Sequence, residues 1–369
     1  MIAWRAGTVV SLGRSWPGAR EVVADVAGEP VLGLVYDDVV GPLEVGAQVL
    51  LNVTALDRGL GTGGYALVVA RTDVLPADPP VGPGHLVKAR YTPQQVVVLG
   101  VDDQESEHHA LLQDADDLGG LPVVTADLHS ALPAVVAGAR HAAALAGRPA
   151  PRIAYVMTDG GALPAAFSRT VAALREEGWL AACITAGQAY GGDLEAVSVH
   201  TGLLAARLVV GADLAVVTQG PGNLGTDTRW GFSGVLAGDA VNAAATLAGR
   251  PVASLRVSGV DARSRHRGVS HHSLTAYGRV ALAAADVPVP VFDGLGPELD
   301  RLGAALRNQV EALAARHRLV DVRADGDLLA SLRGCPVRLT TMGRGLDEDP
   351  GSFLAAAVAG VHAARLVAP

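Results

Sequence analysis

Up to about residue 76 the apolar positions alternate with polar ones or run in short β-branched stretches. GTVVSLG, REVVADV, PVLGLVYDDV, AQVLLNV and YALVVA are each bounded by glycine or proline, the pattern of short strands with turns between them. With a glycine turn ahead of the strand at 42–51, they predict a small β-barrel over residues 1–76. Gly59–Gly64 resembles a phosphate loop, but it precedes a strand and offers no helix N-terminus to an anion, so it reads as a hairpin turn. Prolines and glycines then crowd residues 77–84, as in a linker.

Beyond residue 85 the pattern changes. Apolar runs at 96–101, 122–126, 153–158, 180–186, 214–219 and 252–257 alternate with helical patterns at 108–118, 130–146, 167–177, 193–210 and 235–247. Buried strands alternating with helices specify a Rossmann-like α/β fold, a parallel sheet with helices on both faces, over residues 85–295. Right-handed crossovers then bring every strand-to-helix loop to one edge. Residues 299–316, with apolar Leu302, Leu306, Val310 and Leu313, read as an amphipathic helix, and further strand and helix patterns make 296–369 a C-terminal α/β extension. The tail FLAAAVAGVHAARLVAP reads as an amphipathic helix, because His362 and Arg365 interrupt its apolar run. Such C-terminal helices would suit the face of a homodimer.

One loop departs from the rhythm. After the strand at 214–219 the sequence GPGNLGTDTRWGFSG carries no apolar period, and the next helical pattern starts at about residue 235. Loops of this kind take about 2–6 residues, and in open parallel sheets a longer one at the carboxyl edge marks ligand binding. Gly220, Gly222, Asn223, Gly225 and Thr226 are therefore candidates to hold an anion through backbone amides. Gly220–Gly225 matches G-x-G-x-x-G, yet the helix starts late, Pro221 stiffens the turn and the nearest acidic residue of the following unit, Asp239, lies within the helix. NAD is disfavoured on those grounds.

Composition narrows the class. Half the residues are apolar, which excludes a disordered chain. A net charge of −8 argues against nucleic-acid binding. No signal-peptide pattern and no bilayer-length apolar run occur, so a cytoplasmic protein without a membrane partner is expected. Cys183 and Cys335 stand far apart, which fits a reducing compartment. Lys88 is the sole lysine, in keeping with GC-rich codon usage, and no lysine sits where a P-loop needs one.

The chemistry-bearing residues fall on the expected loop edge. Arg263, Arg265, His266 and Arg267 crowd one loop and repel unless solvated or neutralised. Arg265 and Arg267 are the candidates to counter a ligand's charge, since guanidinium forks suit carboxylate or phosphate. Asp127, His129, Asp159, His271 and His272 are candidates for acid–base work. Asp127, His129 and Asp159 would also be the core of a divalent-metal set, if one is bound. Of His271 and His272, only one would enter a site if the chain were extended there. Ser233 is placed to cap the helix beginning near residue 235.

Several phrases, GLGTGGYALVVA, HLVKARYTP, DLHSALPA, YVMTDGGALP, RHRGVSHHSLTAYGRVAL and TMGRGLDEDP among them, resemble an uncharacterised bacterial family classed as a domain of unknown function. The likeness spans nearly the whole chain. It implies a cytoplasmic bacterial protein and carries no established activity. Two functional readings follow from the residues: an enzyme, a hydrolase or group transferase, acting on a small anionic metabolite, phosphorylated ones included; or a non-catalytic metabolite-binding or scaffold protein using the same loops.

Overall fold

A computed structural model describes residues 1–367; Ala368 and Pro369, the end of the expected extension and tail, lie outside them. The chain divides into two compact units. The first comprises residues 1–82, 92–94 and 166–172, and the second the remainder.

In the first unit, β1 (Trp4–Trp16), β2 (Ala19–Val26), β3 (Glu29–Tyr36), β4 (Gln48–Asn52) and β5 (Ala66–Arg71) form a closed barrel in the order β1-β2-β3-β5-β4. Closure leaves no unpaired strand edge. The inward residues Val9, Val22, Val35, Val49, Leu51 and Val68 are fully or almost fully buried. The Gly59–Gly64 stretch joins antiparallel β4 and β5 as a turn, with positive φ at Gly59, Gly63 and Gly64. Residues 166–172 complete this unit, and the Trp16 indole donates to the Ala166 carbonyl at 2.6 Å.

The second unit is built on β6 (Pro122–Thr125), β7 (Ile153–Thr158), β8 (Ala182–Ala186), β9 (Leu194–Ala196), β10 (Leu214–Gln219), β11 (Arg250–Ala253), β12 (Asp286–Phe292) and β13 (Arg318–Ala324). They form one parallel sheet in the order β9-β8-β7-β10-β6-β11-β12-β13. The strands of the expected C-terminal extension thus continue the same sheet. Helices α1 (Leu132–Leu145), α2 (Arg169–Glu176), α3 (Val199–Leu208), α4 (Leu236–Thr246), α5 (His271–Thr275), α6 (Pro297–Val310), α7 (Gly326–Arg333) and α8 (Pro350–Leu366) connect or cover them.

The strand order positions the site. From β6 the chain crosses to β7 on one side, whereas from β10, between β6 and β7, it crosses to β11 on the other. Right-handed crossovers put α1 and α4 on opposite faces, so the loops leaving β6 and β10 part at their carboxyl ends. This divergence is where open α/β sheets hold ligands.

Four local expectations are corrected. Residues 108–118 contain only one short helix, His109–Leu112. In the stretch 193–210, Leu194–Ala196 is the edge strand β9, and α3 begins after Ser198, whose Oγ accepts from the Thr201 amide at 3.2 Å. The predicted strand 252–257 breaks at Ser254. Val257–Ser258 turns away to pair antiparallel with Gly268–Val269, folding the arginine–histidine loop back on itself.

The tail helix α8 is not amphipathic. Residues Phe353 to Ala364 are all buried, as expected of a helix that is apolar all round. It lies against α1 at a separation only glycine permits: a Cβ on Gly360 would sit 1.9 Å from the Val135 carbonyl oxygen, and one on Gly138 2.0 Å from that of Ala357. His362 is accommodated inside by a 2.7 Å bond to Asp286. No face of α8 is left for a second copy. Among the described residues no helix is long and apolar enough to cross a membrane.

Candidate functional site

Three neighbouring strands, β10, β6 and β11, end within a few residues of Gln219, Asp127 and Arg256. Their side chains meet at the rim. Asp127 is buried, and its Oδ2 lies 3.4 Å from His272 Nδ1 and 3.5 Å from Arg256 Nη1. These are ion-pair contacts, and no well-aligned hydrogen bond reaches Oδ2. Burial alone would raise the Asp127 carboxyl; contact with His272 and the Arg256 charge outweighs it and holds the group below the usual carboxylate range. Gln219 Nε2 bonds the Asp127 carbonyl at 3.1 Å and Asn223 Oδ1 at 2.9 Å, while Gln219 Oε1 is buried without a partner. The start of α4 approaches this corner closely enough that a Cβ at Gly234 would meet the Asp127 carbonyl oxygen at 2.7 Å.

The glycine loop and the arginine–histidine loop meet here. Phe232 stacks on His272, with ring centroids 3.7 Å apart and planes within 5°, and presents its edge to His271. Arg265 pairs with Asp227. His266, His271 and His272 form a triangle with centroid separations of 5.0, 5.0 and 4.4 Å. His271 and His272 share this space because Ser270 caps a short helix, its Oγ accepting from the His272 amide, where an extended chain would have turned the two rings apart. The same hydroxyl meets His266 Nδ1 at 2.8 Å. Burial, reinforced by Arg256 and Arg263, lowers the His266 pKa to about 3. Burial, then the charges of His272 and Arg265, lowers that of His271 to about 4. Both imidazoles are neutral at pH 7.

The remaining candidates divide. His129 turns inward, its Nδ1 3.0 Å from the Tyr155 hydroxyl, and burial lowers its pKa to about 4. Asp159 accepts from the Gln188 amide at 2.8 Å, and its charge bears on Lys88. Asp127, His129 and Asp159 therefore have separate partners. The only group of three or more metal-ligating side chains within reach of one another among the described residues is His266, His271 and His272. Of the loop amides, those of Gly220 and Thr226 are taken by the Thr158 and Gly231 carbonyls, which leaves Gly222, Asn223 and Gly225. Arg267 is exposed and donates to the Asp261 carbonyl at 3.2 Å, while Arg263 grips the Asp261 carboxylate with both prongs. The crowded cations are thus neutralised largely by Asp261 and Asp227. Ser233 Oγ bonds Asn223 Oδ1 and the Leu224 amide, closing the loop instead of capping α4.

Sequence reasoning missed Gln219, Arg256 and Phe232, and counted His266 only as a cation. The available signal was three histidines within seven residues, R-H-R-G-V-S-H-H. The hollow lined by Asp127, Ser130, Arg256 and Thr341 measures about 20 Å³, room for one water. A larger hollow of about 630 Å³ shares none of these residues and is lined by His85, Arg90, Tyr91, Gln95, Asp103 and His109.

Fold and site together define an α/β protein with a titratable, polar cluster at the switch point of a parallel sheet. Residues 32–360 match the family described as "Protein of unknown function (DUF3866)", and the chain belongs to that family. No curated protein and no solved structure matches it.

Proposed function

We propose that this is an enzyme that hydrolyses, or transfers a group of, a small anionic metabolite at the rim formed by β6, β10 and β11. The reading rests chiefly on the buried Asp127 carboxylate, held ionised against His272 and Arg256 with one oxygen lacking a hydrogen bond. A fold keeps such a group at a cost of several kcal/mol, and incomplete satisfaction of this kind concentrates at functional sites. In this scheme His272 exchanges a proton with substrate while Asp127 orients it and offsets the imidazolium charge. The amides of Gly222, Asn223 and Gly225 would bind the anion, together with the Asn223 amide NH2, since its Oδ1 is already engaged. Arg265 stands at the loop mouth. A cytoplasmic bacterial setting, implied by the family resemblance, suits a metabolite of this kind.

The small size of the hollow at Asp127 favours a second reading, non-catalytic metabolite binding. Incubating the protein with a small-metabolite extract and following it by mass spectrometry separates the two. Depletion of an anionic compound with appearance of a product, lost in Asp127→Asn, supports the enzyme. Retention of an unaltered compound by both proteins supports binding alone.

A further inference from the structure

The three histidines carry more than the acid–base reading uses. Their ligating nitrogens all lie within 4.8 Å of one another, yet no hydrogen bond joins one ring to another among the described residues. The three imidazoles gather in a largely buried corner, each able to offer one nitrogen to a common point. His266 and His272 are 3 and 6 % exposed, whereas His271 is half-buried.

We propose that His266, His271 and His272 bind a divalent transition-metal ion of the zinc type, with Asp127 and Ser270 orienting two of the rings. Three imidazoles and no thiolate suit Zn²⁺, Co²⁺ or Ni²⁺, and exclude the oxygen-seeking Mg²⁺ and Ca²⁺. Ligating histidines present one nitrogen to the metal and donate the other N–H to a hydroxyl, carbonyl or carboxylate. His266 has that partner in Ser270, 2.8 Å from Nδ1, and His272 has it in the otherwise unbonded Oδ2 of Asp127. Phe232 fixes the plane of the His272 ring. A site with three protein nitrogens leaves a fourth position for water or substrate, the arrangement of catalytic zinc; with the ion bound, a water there would take over the proton transfer that His272 performs in the metal-free chain. The ion would also supply the positive charge that Asp261 and Asp227 withdraw from the neighbouring arginines.

Loading requires a rearrangement at His272. Arg256 Nη1 stands 2.9 Å from His272 Nδ1, and a guanidinium only donates, so in this state the ring proton sits on Nε2. Metal binding through Nε2 moves that proton to Nδ1, which then donates to Asp127 in place of accepting from Arg256. Arg256 keeps its ion pair with the carboxylate.

This inference concerns the site of the proposed function but does not depend on turnover, so it is tested by metal binding alone. The full chain, stripped with chelator and dialysed, is titrated with zinc sulfate and with magnesium chloride by calorimetry. A parallel cobalt titration reads ligand-field absorbance. The expected result is one zinc per chain, no magnesium and the visible bands of four-coordinate cobalt. His271→Gln, whose half-buried ring can be lost with little harm to the fold, should weaken zinc by at least about 100-fold, and Asp127→Asn by about 10–100-fold. A variant carrying both His108→Ala and His109→Ala should bind as the wild type does. Absence of stoichiometric zinc, or binding unchanged in His271→Gln, overturns the inference, as does loss of binding in the His108/His109 variant. Zinc binding without any turnover would leave the inference standing and refute the proposed function; turnover by a chain that takes up no zinc in the titration would do the opposite.

Discussion

The carboxyl edge of the sheet carries two buried charged clusters, and they are built on opposite terms. Under β8 and β9, the Lys88 ammonium is wholly enclosed. It donates to the Ala189 and Ala196 carbonyls at 2.9 and 2.8 Å and lies 3.4 Å from the Thr185 carbonyl and from Glu195 Oε2. Glu195 in turn accepts from Thr185 Oγ1 and the Gly191 amide. Every proton and oxygen of this pair has an answer within the chain. Around β6 and β10 the account does not close: Asp127 Oδ2 and Gln219 Oε1 are unmet, and among the described residues no hydrogen bond joins the three clustered histidine rings to one another. Burial of charge alone therefore does not separate structure from function in this molecule. On the proposed function, completeness of the hydrogen bonding is what separates them.

The largest effect should come from breaking the closed cluster. Lys88→Met removes the ammonium and leaves Glu195 buried without its counter-charge, a loss of about 3–5 kcal/mol in denaturant unfolding. Burial already pushes the Lys88 pKa down and that of Glu195 up, so neither charge tolerates losing the other. Replacing both, Lys88→Met with Glu195→Leu, should restore most of the stability, because a buried ion pair exchanged for apolar side chains is often close to neutral.

A smaller effect comes from a buried imidazole outside the three-histidine group. His129, on the β6 side, has its pKa lowered by burial to about 4, against about 6.5 in an unfolded chain. Its contribution is complete above pH 6.5, where both states are neutral. It is lost as pH falls towards 4, because the unfolded chain takes up the proton first. Thermal unfolding of chelator-treated protein should therefore show a decline between pH 6.5 and 4 that is shallower in His129→Gln, by at most about 3 kcal/mol. An identical pH slope in the two proteins would place the imidazole in contact with solvent.

The smallest stability effect should be Asp127→Asn. Its contacts to Arg256 and His272 are long and poorly aligned, so their loss costs about 1–2 kcal/mol, well below Lys88→Met. A larger cost for Asp127→Asn than for Lys88→Met would reverse the comparison and make Asp127 the structural group.

Much of this architecture is written locally in the chain. Ile153–Thr158 and Leu214–Gln219 are read at their observed limits, because each is a buried apolar run ended by a turn residue. The long loop after Gln219 and the arginine–histidine stretch were both legible as irregular segments on one edge. What was not legible depends on partners far along the sequence. Lys88 looked like an accident of codon usage, since nothing near it announces the carbonyls of Thr185, Ala189 and Ala196. His266 joined the other histidines only through a two-residue antiparallel pairing, too short to leave a period. The paired Asp127 and Asp159, alike in sequence, went to different clusters because β10 lies between their strands. For α8 the misreading is instructive: His362 and Arg365 suggested a wet face, but Asp286 satisfies the histidine inside, and small residues let α1 close over the rest.

The central claim, that the unsatisfied cluster works and the satisfied one only holds, is tested most directly by metabolite conversion per folded molecule in Asp127→Asn and Lys88→Met side by side. The account predicts that Asp127→Asn stays folded and loses at least about 100-fold in rate, the loss typical of removing a group engaged in proton transfer, while Lys88→Met, corrected for its unfolded fraction, converts at the wild-type rate. Wild-type conversion by Asp127→Asn would contradict it.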